Sequence, residues 1–83
     1  MAGVMIYKSA LNNYFSFVIM DDKEYKAMKT AISENPSNKI LWERENVSPK
    51  KIEKSRKTKD DLVKKLNLGE EVDLEKELSD YFN

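Results

Sequence analysis

Most of the large apolar side chains of this chain of 83 residues lie before Val47, and that asymmetry limits what it can fold into. A core needs apolar side chains that can meet, so the first half is where mutually packed elements are expected. A chain of this length makes one small domain and buries roughly 60–65% of its unfolded surface. Charged residues make up 36% of the chain and apolar residues 40%. That is more polar than an average globular domain, yet not the composition of a disordered chain.

Residues 4–11 alternate as a strand does, with Val4 and Ile6 on one face and Met5 and Tyr7 on the other. Asn12 and Asn13 tolerate positive φ and predict a two-residue hairpin turn. Residues 14–20, YFSFVIM, are aromatic and β-branched and read as a second strand. Phe15, Phe17 and Ile19 fall on its core face; Tyr14, Ser16, Val18 and Met20 fall on the other, which is apolar enough to be partly covered. Asp21 or Asp22 is suited to cap a helix over 23–34, with Glu24 placed as in a capping box. Tyr25, Met28, Ala31 and Ile32 form its apolar stripe. Asn35-Pro36 ends the helix, because the residue before proline disfavours helical geometry. Residues 39–45 read as a third strand, with Ile40 and Trp42 on one face and Leu41 and Glu43 on the other.

The predicted fold is therefore α+β: a three-stranded, mainly antiparallel sheet in the order β-β-α-β over residues 1–47, with one packed helix. That helix is expected to bury Phe15, Phe17, Ile19, Tyr25, Met28, Ile32, Ile40 and Trp42 together. Residues 48–58 read as a basic connector or a fourth strand, although Ser48-Pro49 also suits a helix start. No apolar residue lies between Ile52 and Leu62, so a helix across that gap looks unanchored. Residues 59–83 read as an acidic helical segment with short helices near 59–67 and 73–82. Gly69 is placed to end the first, and Asp73 to open the second.

Charge is segregated along the chain although it sums to zero. Lys50, Lys51, Lys54, Arg56, Lys57 and Lys59 stand against a single acid, Glu53, in residues 50–59. Residues 60–83 reverse this, with eight acids against Lys64, Lys65 and Lys76. Such a pattern points to electrostatic contact, within the molecule or with a partner.

The chemistry open to the chain is narrow. Histidine and cysteine are absent, which removes disulfides, the usual zinc sites and the Ser–His and Cys–His nucleophile pairs. Gly3 and Gly69 are too far apart for a phosphate-cradling loop. The carboxylate pairs Asp21-Asp22 and Asp60-Asp61 sit where the first turn of a helix favours negative charge. No catalytic residue, metal site or cofactor is expected. The run 14–20 is far too short to span a bilayer, no membrane partner is expected, and the chain reads as cytoplasmic.

Two stretches remain as binding candidates. The belt Lys50, Lys51, Lys54, Arg56 and Lys57 can steer an acidic protein or contact phosphates. It can equally be a solvated connector, or be neutralised by the acidic tail. The positions Leu74, Leu78 and Phe82 can cap the sheet or dock in a partner's groove. An exposed sheet edge would also let two copies pair as a homodimer.

The succession of residues 14–20, Asp21-Asp22-Lys23-Glu24-Tyr25, Asn35-Pro36-Ser37, Ile40-Leu41-Trp42 and Val47-Ser48 resembles small accessory proteins of bacteriophages and mobile elements of low-GC bacteria. The similarity is one of layout and covers the first half of the chain. It implies a small non-enzymatic protein that binds a host or phage component. The expectation is a protein–protein accessory or inhibitor module of that type, with a host or phage protein as partner. The alternative is a nucleic-acid-associated regulator that sets residues 50–59 on phosphates.

Overall fold

A computed structural model describes residues 1–82. Three strands, β1 (Ala2–Lys8), β2 (Phe15–Asp21) and β3 (Lys39–Val47), form an antiparallel sheet in the order β2-β1-β3. Helix α1 (Asp22–Ser33) joins β2 to β3, and α2 (Pro49–Asn67) and α3 (Leu74–Phe82) follow. The α+β class and the antiparallel three-stranded sheet are as the sequence predicts.

The hairpin between β1 and β2 is wider than a two-residue turn. The Ser9 N–H donates to the Tyr14 carbonyl at 3.1 Å, and the Asn13 N–H donates to the Ser9 carbonyl at 3.1 Å. Residues 10–13 form the loop, and Asn13 takes the positive φ, 60°. The first strand therefore stops at Lys8, and Leu11 is left fully in solvent. Asp21 caps α1, accepting the Glu24 N–H at 2.8 Å.

The sheet is covered on both faces, and α1 lies on the face opposite to the one expected. It packs Tyr25, Met28 and Ile32 against Met5, Tyr7, Val18, Met20 and Ile40. The other face carries Val4, Ile6, Phe17, Trp42 and Val47, and is closed by Ile52, Leu62 and Leu66 of α2 and Leu78 and Phe82 of α3. The division of Ile40 from Trp42 has a local cause. Trp42 pairs with Ile6 while Ile40 pairs with Tyr7, so Leu41 is an extra residue in β3. A bulge of one residue switches the faces of everything beyond it. A second irregularity lies between the Val47 and Arg44 pairings, where Asn46 has φ 56°.

Gly3 sets how close α1 comes to the sheet. A Cβ there would fall 2.7 Å from the Tyr25 Cβ and nearer still to its ring. The Tyr25 ring thus lies directly on the β1 backbone, and its hydroxyl donates to Glu43 Oε2 at 2.9 Å. Lys29 Nζ reaches the other oxygen of the same carboxylate at 3.0 Å. Burial, and then the Glu43 carboxylate, push the Tyr25 hydroxyl above its ordinary pKa of 10.0.

Two outcomes follow. Gly3→Ala should destabilise the protein by about 1–3 kcal/mol, the usual range for overpacking, as read from urea midpoints. The folded state also keeps the Tyr25 proton beyond the pH at which the unfolded chain releases it, near 10. The contribution of that group is complete below this pH and is lost as pH rises further. Stability should fall above about pH 10, and Tyr25→Phe should flatten that decline.

Candidate functional site on the outer face of α2

Residues 48–58 are neither a connector nor a fourth strand. They hold the cap and the first half of one 19-residue helix. Ser48 caps it, accepting the Lys51 N–H, and Pro49 stands in the first turn, where its missing N–H has no cost. The expected separate helix at 59–67 is the second half of the same element. The apparent gap between Ile52 and Leu62 is bridged by Ser55, which is fully buried and donates its hydroxyl to the Ile52 carbonyl at 2.8 Å. Lys59 is half-buried. Positions 52, 55, 59, 62 and 66 thus form a continuous inward stripe. A small residue and a lysine stem complete it, so a search for apolar side chains misses the pattern.

The C-terminus of α2 closes in a Schellman arrangement. Gly69, with φ 81°, donates to the Leu66 carbonyl at 3.1 Å, and the Glu70 N–H reaches the Lys65 carbonyl at 3.1 Å. One residue earlier than the cap, Asn67 ties the helix to the sheet. Its side-chain oxygen accepts the Phe15 N–H at 2.9 Å, and its amide nitrogen donates to the Phe15 carbonyl at 3.2 Å.

With the inward stripe fixed, the belt cations other than Lys59 fall outward. Lys50, Lys54, Lys57, Asp61 and Lys64 are all exposed and recur at i, i+4, i+7, i+11 and i+14. They make a ridge about 21 Å long on a straight helix. Lys51 and Arg56 flank it and are also exposed. Arg56 meets Glu53 at 3.2 Å, an exposed i,i+3 pair of the kind worth little. Among the described residues, Lys50, Lys51, Lys54 and Lys57 enter no ion pair, and no belt cation is joined to an acid of the tail. Lys50 and Lys51 also stand in the first turn of α2, which has no acid. The helix dipole disfavours cations there by about 0.3–1 kcal/mol each at low ionic strength. The belt is therefore not arranged for the stability of its own helix.

The tail is arranged otherwise than as a docking face. Asp73 caps α3, accepting the Lys76 N–H at 3.2 Å. Leu78 is fully buried, Phe82 is buried and Leu74 is half-buried against the same core. The Phe82 ring lies 5.3 Å from Trp42 and 6.3 Å from Phe17 between centroids. Tyr81 accepts from the Thr58 hydroxyl at 3.0 Å, linking α3 to α2. Glu75 holds Arg44 through both carboxylate oxygens, at 3.0 and 2.8 Å, and the guanidinium lies 4.8 Å from the Trp42 ring centre. Leu74, Leu78 and Phe82 complete the sheet face, so they are spent on the fold. The last residue of the acidic segment 59–83, Asn83, lies outside the described residues.

Among the described residues, no group of three or more acidic side chains is placed to hold a metal ion, and no helix is long and apolar enough to cross a membrane. A second surface feature escaped the sequence reading: an apolar groove between β2 and α1, floored by Val18, Met20 and Met28. Its signal was the strand FSFVIM, apolar on both faces and free of charge.

Leu78→Ala should cost about 2–5 kcal/mol of stability in denaturant melts, as for other buried leucines. No protein family, curated protein or solved structure matches this chain.

Proposed function

We propose that this chain is a non-enzymatic protein-binding module, an accessory or inhibitor protein whose contact surface is the outward ridge of α2. The observation that carries this reading is the placement of Lys50, Lys51, Lys54 and Lys57. They are exposed and, among the described residues, without ion pairs, on a helix whose inner face is locked to the sheet. A preorganised row of cations lowers the ordering cost of contact and steers an acidic surface toward it. Arg56 contributes once its weak pair with Glu53 is exchanged for a carboxylate on the partner.

An acidic protein surface fits better than nucleic acid for two reasons. Glu53, Asp60 and Asp61 lie on the exposed side of the same helix, within or beside the ridge, so that side is mixed in charge and not uniformly basic. The rings of Phe17, Trp42 and Phe82 are buried, so they offer no stacking platform for bases. Mixed charge selects a partner of complementary pattern, whereas phosphate backbones reward uniform positive charge.

The test is a variant with Lys50, Lys51, Lys54, Arg56 and Lys57 changed to Glu. Lys50 and Lys51 lie in the first turn of α2, where acids are favoured by about 0.3–1 kcal/mol each, and the other three side chains are exposed, so the variant should stay folded. Capture from lysate by the wild-type chain should retain one protein through nuclease treatment, and the variant should lose it. Wild-type binding to duplex or single-stranded oligonucleotides that falls steeply with salt, with no protein retained after nuclease, would instead favour the regulator that acts on phosphates.

A further inference from the structure

The strand β2 carries a feature that the α2 ridge does not use. It is an edge strand, next to β1 alone. Edge strands normally carry a device that prevents pairing: a charge, a proline, a bulge or a covering element. The opposite edge, β3, has several of these. It bears Lys39, Glu43, Arg44 and Glu45, it is interrupted by two irregularities, and Glu75 of α3 grips Arg44 beside it. Residues 15–20 of β2 have no charge and no proline, and their register with β1 is unbroken.

The open backbone groups of this edge can be identified. In an antiparallel pair, residues alternate between bonding the neighbour and facing away from it. Ser9 bonds Tyr14, and Asn67 bonds both backbone groups of Phe15 from outside, so Phe15 faces away from β1. Phe17 and Ile19 then face away as well. Among the described residues, no hydrogen bond beyond the sheet engages their N–H or C=O groups. Asn67 closes the upper end of the edge, and a window of two residues stays open.

We propose that β2 pairs with β2 of a second copy of this chain, antiparallel about a two-fold axis through Val18, giving one continuous six-stranded sheet. This register sets Phe17 of each protomer opposite Ile19 of its partner. All four open groups of each protomer are then used, in four hydrogen bonds. It also sets Phe15, already capped by Asn67, against Asp21, whose side chain already caps α1.

The surface beside the strand is self-complementary under the same axis. Val18, Met20 and Met28 floor a largely apolar groove whose helix wall is made of Ala27 and Ala31, small and exposed, with Glu24 at one end. That wall leaves room for Val18 and Met20 of the partner. The two α1 helices run antiparallel across the axis. Tyr25 stands over Gly3, which opposes Met20, so Val18 is level with a point about one helical turn further along α1. That level lies close to the midpoint of Lys23 and Glu34, which are exposed and in no ion pair among the described residues. Lys23 of each protomer is thus brought toward Glu34 of its partner.

Sedimentation equilibrium, with backbone amide exchange followed residue by residue, tests the pairing. The wild-type chain should dimerise, with the Phe17 and Ile19 amides protected in step with dimer population. The variant Ala27→Lys with Ala31→Lys sets two lysines from each protomer, at exposed helix positions, in a groove that holds one carboxylate from each, Glu24, so bulk and net positive charge meet across the axis. It should stay folded, weaken the dimer by roughly tenfold or more and release those two amides. The amides of Val18 and Met20, bonded to β1, should be protected in both. The charge-reversed α2 variant should dimerise as the wild type does, which separates this proposal from the reading of the ridge. A chain that is monomeric at every concentration overturns the proposal. So does a dimer whose Phe17 and Ile19 amides exchange freely. Protection of these amides only on adding an extended apolar peptide would assign the edge to a foreign strand, and would overturn it too.

Discussion

The structure depends on a central strand that is apolar on both faces. Val4, Met5 and Ile6 are successive residues of β1, and all three are fully buried. Their side chains alternate, so one helical layer cannot shelter them. A sheet of this kind needs cover above and below, and each cover has its own element. The α1 crossover seals the Met5 side, while α2 and α3 together seal the Val4 and Ile6 side. The C-terminal half is therefore a required layer of the domain and not an appendage to a finished core.

The strands, α1 and its cap, and the opening of α3 at Asp73 were legible because each rests on local chemistry. Period-two alternation, Asp21 ahead of Glu24 and the Asn35-Pro36 stop act within a few residues of themselves. What was not legible depended on pairing across the sheet. The bulge at Leu41 sends Ile40 and Trp42 to opposite faces, and no pattern within β3 announces it. That residue accounts for the division of Ile40 from Trp42, whereas the face of β2 that α1 takes is set by α2 and α3 occupying the Phe17 side. The continuity of α2 was hidden for a different reason, because Ser55 serves as a core position by its small size. The belt cations were legible as a sequence run. Their presentation as a ridge required the helix, and the burial of Leu78 and Phe82 required the open sheet face.

The two surfaces proposed for contact differ in their physics. The ridge of α2 offers long, hydrated charged side chains carried on a fixed helix, suited to fast and salt-sensitive encounter. The edge of β2 offers fixed backbone donors and acceptors beside apolar side chains, suited to a slower and register-specific union. They lie on opposite covers of the sheet, since the groove belongs to the α1 side and the ridge to the α2 side. Occupation of one leaves the other open.

The aromatic cluster of Phe17, Trp42 and Phe82 has a consequence for the birth of the protein. Its members come from β2, β3 and α3, separated by most of the chain. During synthesis the hairpin and α1 emerge early, but one side of their sheet is only partly covered by α2 until α3 has been made. The uncharged strand FSFVIM is exposed throughout that interval, with its edge open. Until α3 docks, that strand and the sheet face beside it are therefore the most adhesive parts of the chain.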